Sequence, residues 1–356
     1  MPKPIPPAEL GAAFDTLLAE LDLSGRTADA AAGANLAEAP PESGEQTAAD
    51  AVRANILAYQ RGEYRAVLDA VTTAAKQAGN QRSEAATIAL RLVLSYTAQP
   101  AALSIGRVDW FLKGERWLRA IAASDAPIGV HRTAELSATL GRLAAADLRH
   151  VPAWLRAADF SQVPRGVRLN ASYAYALWLL LTRANQQALT ASVLALGLAT
   201  RPGPAELVEL NLHTMAARAA LALGEVSQAA DHVEAVVSVC VERQLTTTLA
   251  ENIRLMGGLV EQSLAGRDPQ LLAAVERQFE IIAPNWRAAH ERLTGGKMQF
   301  GASLRDGEIA VLAERKMPVR EIARLQGLSY GHTANILSEY YARNGLKSRR
   351  DLQSPW

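Results

Sequence analysis

Apolar residues recur along most of this chain at the three- and four-residue spacing of amphipathic helices. The first such segment covers residues 8–22, with apolar positions at Leu10, Phe14, Leu17, Leu18 and Leu21. From about Asp50 to Arg292 the helical spacing continues almost without interruption, and the alternation typical of strands is absent. The pattern therefore predicts an all-α protein.

Two stretches depart from this pattern and predict domain boundaries. Residues 24–48 carry almost no large apolar side chains, so they cannot bury enough surface to offset the entropy of ordering. We therefore expect residues 1–48 to form an N-terminal helix and a flexible linker. Residues 294–301 read TGGKMQFG and have little helix propensity, which predicts a hinge. A helical region over 49–293 and a terminal module over 302–356 remain.

Several breaks between the predicted helices share one arrangement. At Gly62, Gly224 and Gly266 a helix is predicted to end, and apolar residues follow five and nine positions later. Glycine there supplies the left-handed backbone that ends a helix, and the two apolar residues face the partner helix. Weaker copies occur at Gly141 and Asn185, so that the last four turns are separated by 44, 39 and 42 residues.

A quasi-period of this length, built from helix pairs, predicts an α-solenoid. The glycine with apolar residues at +5 and +9 resembles the longer tetratricopeptide repeats of bacterial regulators. This resemblance implies a TPR-like helical-repeat domain that senses an effector, binds a partner or dimerises. The alternative is an irregular helical bundle without a true repeat.

Composition and charge narrow the class of protein. Hydrophobic residues make up 49% of the chain, charged residues 21%, and the net charge is +1, which excludes a globally basic protein. From Gly301 onward, however, nine Lys and Arg residues stand against six Asp and Glu residues. A small basic module on a near-neutral chain favours localised contact with a polyanion. The single cysteine, Cys240, excludes an intrachain disulfide and argues against a Cys-ligated zinc site.

Several functional classes find no support in the sequence. The start MPKPIPPAEL lacks the apolar region of a secretory signal. The most apolar stretch, Tyr173–Thr200, is broken by polar residues and predicts two buried helices with a turn between them. The segment Gly295–Met298 lacks the spacing and hydroxyl of a phosphate loop, and the histidines lack metal-ligand spacing. We expect a cytoplasmic, non-enzymatic protein with no cofactor, metal, catalytic residue or membrane partner.

The sequence pattern of the terminal module predicts a compact set of helices. Ile309, Leu312 and Ala313 form an inward stripe on the first helix. Pro318 opens the second helix at a first helical position, where its missing N–H has no partner in any case. Gly327-Leu328-Ser329 is the following turn, and Ser329 is a good N-cap for a third helix.

The residues from Ala302 to Leu352 resemble the DNA-binding domain of LuxR-type (GerE-like) transcriptional regulators. The family's Arg-Glu-x-Glu-Val-x-x-Leu pattern aligns with Arg305, Asp306, Glu308, Ile309 and Leu312. Its Lys-Glu-Ile-Ala motif aligns with Arg320-Glu321-Ile322-Ala323, and its Leu-Gly-Val motif aligns with Asn344-Gly345-Leu346. Its closing helix aligns with Ser348, Arg349, Asp351 and Leu352. The resemblance implies a four-helix unit with a helix-turn-helix, whose third helix lies in the major groove.

The resemblance also implies which residues contact DNA. Leu337 and Tyr340 should face inward with Thr333 at their edge, which leaves Asn335 outward, where its amide can pair with adenine. Basic side chains of the module are candidates for phosphate contact. The predicted DNA-binding residues are Arg320, Ser329, Tyr330, His332, Asn335, Ser338, Lys347 and Arg349.

Some positions depart from the family pattern. Ala334 stands where a lysine often contacts DNA, and Ile336 replaces a histidine. Polar residues occupy apolar positions at Gln326, Thr333 and Asn344. An unpaired buried amide costs about 1–3 kcal/mol, so we expect a weakened core that needs support from the helical region or from a dimer partner.

From this resemblance we predict a DNA-binding transcriptional regulator that acts as a homodimer on double-stranded DNA. The helical region would take a peptide, small-molecule or protein effector, and its candidate residues are Trp110, Trp117, Trp154, Tyr173 and Trp178, although tryptophan at helical spacing more often belongs to a core. The alternative is a non-enzymatic solenoid adaptor whose degenerate helix-turn-helix docks a protein.

Overall fold

The structure is all-helical over the residues that it describes. The computed structural model describes residues 5–28, 47–76, 83–198, 206–297 and 303–352, and every regular element in these ranges is a helix. The all-α prediction is thereby confirmed. The first helix continues to Ala28, beyond the predicted start of the linker at residue 24. The rest of that linker up to residue 46, and residues 298–301 of the predicted hinge, lie outside the described residues.

The described helices form two compact units. The first unit holds the described residues up to Ala144, residues 149–174, and end residues of the flanking helices. Its helices are α1 (Pro7–Ala28), α2 (Ala48–Gln60), α3 (Tyr64–Lys76), α4 (Glu84–Ser104), α5 (Val108–Ala122), α6 (Ile128–Ala144), α7 (Ala153–Arg156) and the start of α8 (Arg168–Leu181). The helix α4 is central, because it packs against α1, α2, α3, α5 and α6.

The second unit holds residues 145–148, 175–196 and the described residues from 210 onward. Besides the end of α8, its helices are α9 (Asn185–Leu198), α10 (Glu206–Leu223), α11 (Val226–Arg243), α12 (Thr247–Asn252), α13 (Leu259–Ala265), α14 (Pro269–Thr294), α15 (Leu304–Glu314), α16 (Val319–Leu325) and α17 (Tyr330–Asn344). Short 3-10 helices at Ile253–Met256 and Arg349–Asp351 follow α12 and α17.

Two of the predicted glycine turns have the expected backbone. Gly62 and Gly224 have φ of 78° and 85°, the left-handed region that favours glycine, and each ends a helix. Gly266, in contrast, has φ of −93°, so the left-handed prediction is wrong there. All six apolar residues at +5 and +9 are buried: Val67, Val71, Ala229, Val233, Leu271 and Val275.

The two weaker copies do not occupy turns. Gly141 lies inside α6, where an added Cβ would come within 2.7 Å of Phe111 Cε2, so this glycine serves close helix packing. Asn185 is the first residue of α9, and the residue nine positions later, Leu194, is 64% exposed. The positive-φ turns lie instead at Ala146 and Arg183. The spacing of 44, 39 and 42 residues therefore does not mark equivalent turns.

The apolar stretch Tyr173–Thr200 forms two helices with a turn between them, as predicted, over the residues described. The predicted burial is wrong for part of α9, since Val193, Leu194 and Leu198 are exposed. Across the described part of the chain, no helix combines the length and the apolarity that crossing a membrane requires.

Candidate nucleic-acid interface

Local sequence signals set the ends of the helices in residues 303–352, called the C-terminal segment below. The Ser303 and Ser329 hydroxyls cap α15 and α17 by accepting the N–H of Asp306 at 3.1 Å and of His332 at 3.2 Å. The helix α16 begins at Val319, so Pro318 precedes it by one residue instead of occupying its first position. Gly345, with φ of 66°, ends α17.

The core of the C-terminal segment follows the predicted inward stripe. Ile309, Leu312 and Ala313 on α15 are fully buried. Leu337 and Tyr340 on α17 are also buried, and α15, α16 and α17 contact one another. The predicted inward set is confirmed at these positions.

The polar residues at positions that are apolar in the LuxR-type pattern all have hydrogen-bond partners, and one of them provides the expected support from the helical region. The Thr333 hydroxyl donates to Ser329 O at 3.1 Å, and the Asn344 amide donates to Tyr340 O at 2.9 Å. The Gln326 amide donates to Gly257 O at 2.7 Å. Because the last bond reaches outside the C-terminal segment, the Gln326 side chain holds the segment against the rest of the second unit.

The outward side of α17 is exposed. Among its predicted DNA-binding residues, Tyr330, His332, Asn335 and Ser338 are all exposed, and Tyr330 reaches 57%. We name these four residues the α17 outer face. Ser329, at its N-terminal edge, is exposed but uses its hydroxyl as the helix cap. Sequence reasoning missed Glu339, an exposed carboxylate four residues after Asn335 and so on the same side of the helix.

The three predicted phosphate contacts differ in their surroundings. Arg320 and Lys347 are exposed. The Arg349 guanidinium instead donates to Ala313 O, and also to Met317 O at 2.9 Å. It therefore ties the closing 3-10 turn to the end of α15, which is a positioning role that the sequence did not indicate.

The opposite side of the C-terminal segment packs on a glycine pair. Gly257 and Gly258 follow the 3-10 helix Ile253–Met256, and both are left-handed, with φ of 58° and 86°. A Cβ on Gly257 would lie 2.8 Å from Leu312 Cδ2, and one on Gly258 would lie 2.7 Å from Gln326 Nε2. Only residues without a side chain allow this approach. The Gly-Gly dipeptide was the signal in the sequence that could have revealed it.

Polar bonds reinforce the contact of Leu312 and Gln326 with Gly257 and Gly258. We call this contact surface of α15 and α16 the docking face. The Arg315 guanidinium donates to Leu255 O at 3.0 Å, and burial lowers the pKa of Arg315 to about 10. The Gln262 amide donates to Leu325 O. At the end of α15, Glu314 pairs with Arg183 at 2.6 Å. These bonds hold α15 and α16 to the preceding helices of the second unit.

The predicted effector aromatics fall in different units. Trp110, Trp117, Trp154 and Tyr173 belong to the first unit and Trp178 to the second. The Arg91 guanidinium lies 4.3 Å from the ring centre of Trp117, and the Trp154 indole donates to Glu135 at 2.8 Å. Trp178 stacks on Tyr175 with ring centres 5.8 Å apart. Partners within the same unit favour a packing role for these three tryptophans.

One cluster of titratable side chains in the helical region is a pair of histidines. Among the described residues, no group of three or more His, Cys, Asp or Glu side chains could hold a metal ion. His213 and His232 approach to 3.0 Å between their Nδ1 atoms, and burial, followed by the charge of His232, lowers the pKa of His213 to about 4. Burial also lowers the pKa of His232, so both imidazoles are neutral near pH 7.

Searches against protein-family models, curated protein sequences and solved structures find no match for this chain.

Proposed function

We propose that this protein is a DNA-binding transcriptional regulator whose α16, turn and α17 act as a helix-turn-helix. One observation carries the proposal: α17 presents an exposed polar outer face while the other side of the C-terminal segment is held by the docking face. A reading helix needs such a free face and a rigid support, because base contacts require fixed geometry.

Each exposed side chain has a role in the proposed complex. The Asn335 amide reads a base edge in the major groove, and Ser338 and His332 contact bases or phosphates nearby. Arg320 and Lys347 contact phosphates on either side and set the register. Arg349 acts indirectly, by fixing the closing turn. Glu339 repels the phosphate backbone and limits binding where the fit is poor.

The remaining helices supply regulation or assembly. Two copies on two half-sites would give the affinity that one small module lacks, so we propose a homodimer. The helix pairs at Gly62 and Gly224, with buried residues at +5 and +9, support a repeat-like body that binds an effector or a partner. Such a ligand shifts DNA binding only through different affinities for the free and bound arrangements.

Selection of bound sequences from a random duplex pool, with the purified full chain, tests the proposal. We expect enrichment of a discrete site. Asn335→Ala should relax the base preference at one position of that site, whereas Gln187→Ala, at an exposed position on α9, should leave the preference unchanged. Failure of the wild-type chain to enrich any sequence at low salt would overturn the proposal.

A second candidate function is a helical adaptor whose C-terminal segment docks a protein. The half-buried, apolar Ala334 and Ile336, together with exposed Tyr330, favour it, since these side chains suit a protein surface better than a phosphate backbone. Binding to DNA should weaken steeply with salt, with a slope of about −0.9 per phosphate contact. Salt-insensitive binding to a protein partner, with no DNA binding at low salt, would favour the adaptor.

A further inference from the structure

A large cleft lies beside the docking face, entirely within the second unit. Residues of α13 and α14 line one wall, and residues of α15 and α16 line the other. Its volume is about 1020 Å³, at the upper end of the range typical of small-molecule sites. The lining combines apolar side chains such as Phe279 and Pro284 with charged groups of both signs.

Two carboxyl groups meet in the wall of this cleft. Glu308 on α15 is only 2% exposed, and its carboxyl group hydrogen-bonds to that of Glu261 on α13. Each group also keeps one buried oxygen, Glu308 Oε1 and Glu261 Oε2, that has no hydrogen-bond partner among the described residues. Burial has removed both oxygens from water and has left each without a hydrogen-bond donor.

The pair remains costly although two arginines of the cleft lining act on it, Arg305 on Glu261 and Arg254 on Glu308. Burial, followed by the neighbouring charge of Glu261, raises the pKa of Glu308 well above its ordinary value. Burial likewise raises the pKa of Glu261. Burial and the like charge of the neighbouring carboxylate therefore favour one proton shared by the pair, with Glu308 donating to Glu261. A buried oxygen without a partner costs about 1–3 kcal/mol.

The two acceptor oxygens determine which chemical groups of a ligand could bind here. A metal ion is disfavoured, because among the described residues no three His, Cys, Asp or Glu side chains are grouped so that they could hold one. A positively charged group with several N–H donors matches two acceptor oxygens in one place. Arg324, also on the lining, could pair with an acidic group elsewhere on the same ligand.

We propose that this cleft binds a small molecule carrying a primary ammonium group, which donates N–H to Glu308 Oε1 and Glu261 Oε2. Binding forms no covalent bond. The ammonium group arrives already protonated, the shared proton of the carboxyl pair leaves to solvent, and both carboxylates become ionised. The inference deepens the sensing role under the proposed function, because the site lies where α15 and α16 meet the helices that hold them.

Calorimetric titration of the DNA-free full chain with 1,4-diaminobutane tests the site, with 1,4-butanediol as the uncharged control of equal length. We expect saturable binding of the diamine and none of the diol. Titrations in buffers of different ionisation enthalpy should show about one proton released per bound diamine. Its affinity should rise by up to about tenfold per pH unit while the carboxyl pair holds its proton.

Matched variants complete the test. Glu308→Gln keeps the shape and a donor to Glu261 but removes one charge, so it should weaken diamine binding at least about tenfold and abolish proton release. Glu291→Gln, at an exposed position on α14 outside the cleft, should leave both within about twofold. Glu261→Gln should repeat the loss and replaces Glu308→Gln if the latter does not fold.

Three results would overturn the inference: no saturable diamine binding, equal binding of the diol, or Glu308→Gln binding as the wild type does. Because DNA is absent from this titration, failure here leaves the DNA-binding proposal standing. Failure of the sequence selection likewise leaves the ammonium site standing.

Discussion

The two sides of the C-terminal segment both carry polar side chains, but these side chains differ in their hydrogen bonding and in their exposure to solvent. On the docking face, Gln326 and Arg315 are bonded to backbone carbonyls of Gly257 and Leu255. On the α17 outer face, Asn335 and Ser338 are exposed to solvent. Polar side chains on one side of this module therefore attach it to the neighbouring helices, whereas those on the other side remain free to bind a partner. The neighbouring helices, and not the residue type, decide between the two.

The glycine pair should be the most sensitive part of the docking face. Gly257→Ala should lower the free energy of unfolding by about 1–2 kcal/mol through left-handed strain and a further 1–3 kcal/mol through crowding of Leu312. Urea unfolding followed by circular dichroism measures the change. Gly224→Ala is the matched control, because Gly224 is also left-handed but its Cβ would meet nothing within 4 Å. Equal losses at the two glycines would contradict close packing at Gly257.

Gln326→Leu separates the two interpretations of a polar residue in this module. If Gln326 were an unsatisfied core amide, replacing it with the leucine of the LuxR-type pattern would stabilise the protein. Because its amide is bonded to Gly257 O, we expect a loss of about 1–3 kcal/mol of unfolding free energy from the carbonyl left without a donor. The exposed control Gln187→Leu should change the same free energy by less than about 0.5 kcal/mol. Stabilisation by Gln326→Leu would show that the docking bond is unimportant.

The carboxyl pair next to the docking face predicts a pH dependence of stability. The raised pKa of Glu308 means that the folded chain binds more protons than the unfolded chain above the ordinary glutamate pKa of 4.5. Its contribution to stability is therefore full below that pH and is lost as pH rises towards the folded pKa. Relative to wild type, Glu308→Gln should gain stability with rising pH by up to about 1.4 kcal/mol per pH unit. Parallel unfolding free energies of the two proteins from pH 5 to pH 8 would contradict the buried pair.

The smallest expected effect belongs to Glu339, which lies beside the α17 outer face. Removing its charge with Glu339→Gln should tighten DNA binding by about twofold to fivefold, on the order of 0.5–1 kcal/mol, because a like charge then no longer faces the phosphates. Fluorescence anisotropy with the selected duplex measures the affinity. The same change at Glu291 on α14 should leave it unaltered. Unchanged or weakened binding by Glu339→Gln would place this side of α17 away from DNA.

Much of the helical architecture could be predicted from local sequence. Helix caps such as Ser329 and the inward stripe of Leu312 and Leu337 depend on neighbours within a few turns, and the structure confirms them. The glycine turns at Gly62 and Gly224 also depend on local backbone and were correctly placed. Gly141 was misread because the same residue type serves close packing against Phe111, which lies 30 positions away in sequence.

The candidate site was less accessible to sequence reasoning. Exposure of Asn335 follows from helical periodicity, so the outer face could be predicted. The roles of Gln326 and Arg349 could not, because their acceptors, Gly257 O and Ala313 O, lie 69 and 36 positions away in sequence. The contact of Glu261 with Glu308 was hidden for the same reason, since carboxylates on helices are usually solvated and nothing local marks these two as buried.

The salt dependence of DNA affinity in surface-charge variants tests the central claim most directly, namely that the exposed side of the C-terminal segment binds DNA while its other side is docked. For Lys347→Ala and Arg320→Ala we predict weaker binding and a salt slope reduced by about 0.9 each, as expected for one lost phosphate contact. Arg277→Ala, which removes an exposed charge on α14, should change neither quantity. Equal effects of all three variants, or no measurable DNA binding by the wild-type chain at low salt, would contradict the account.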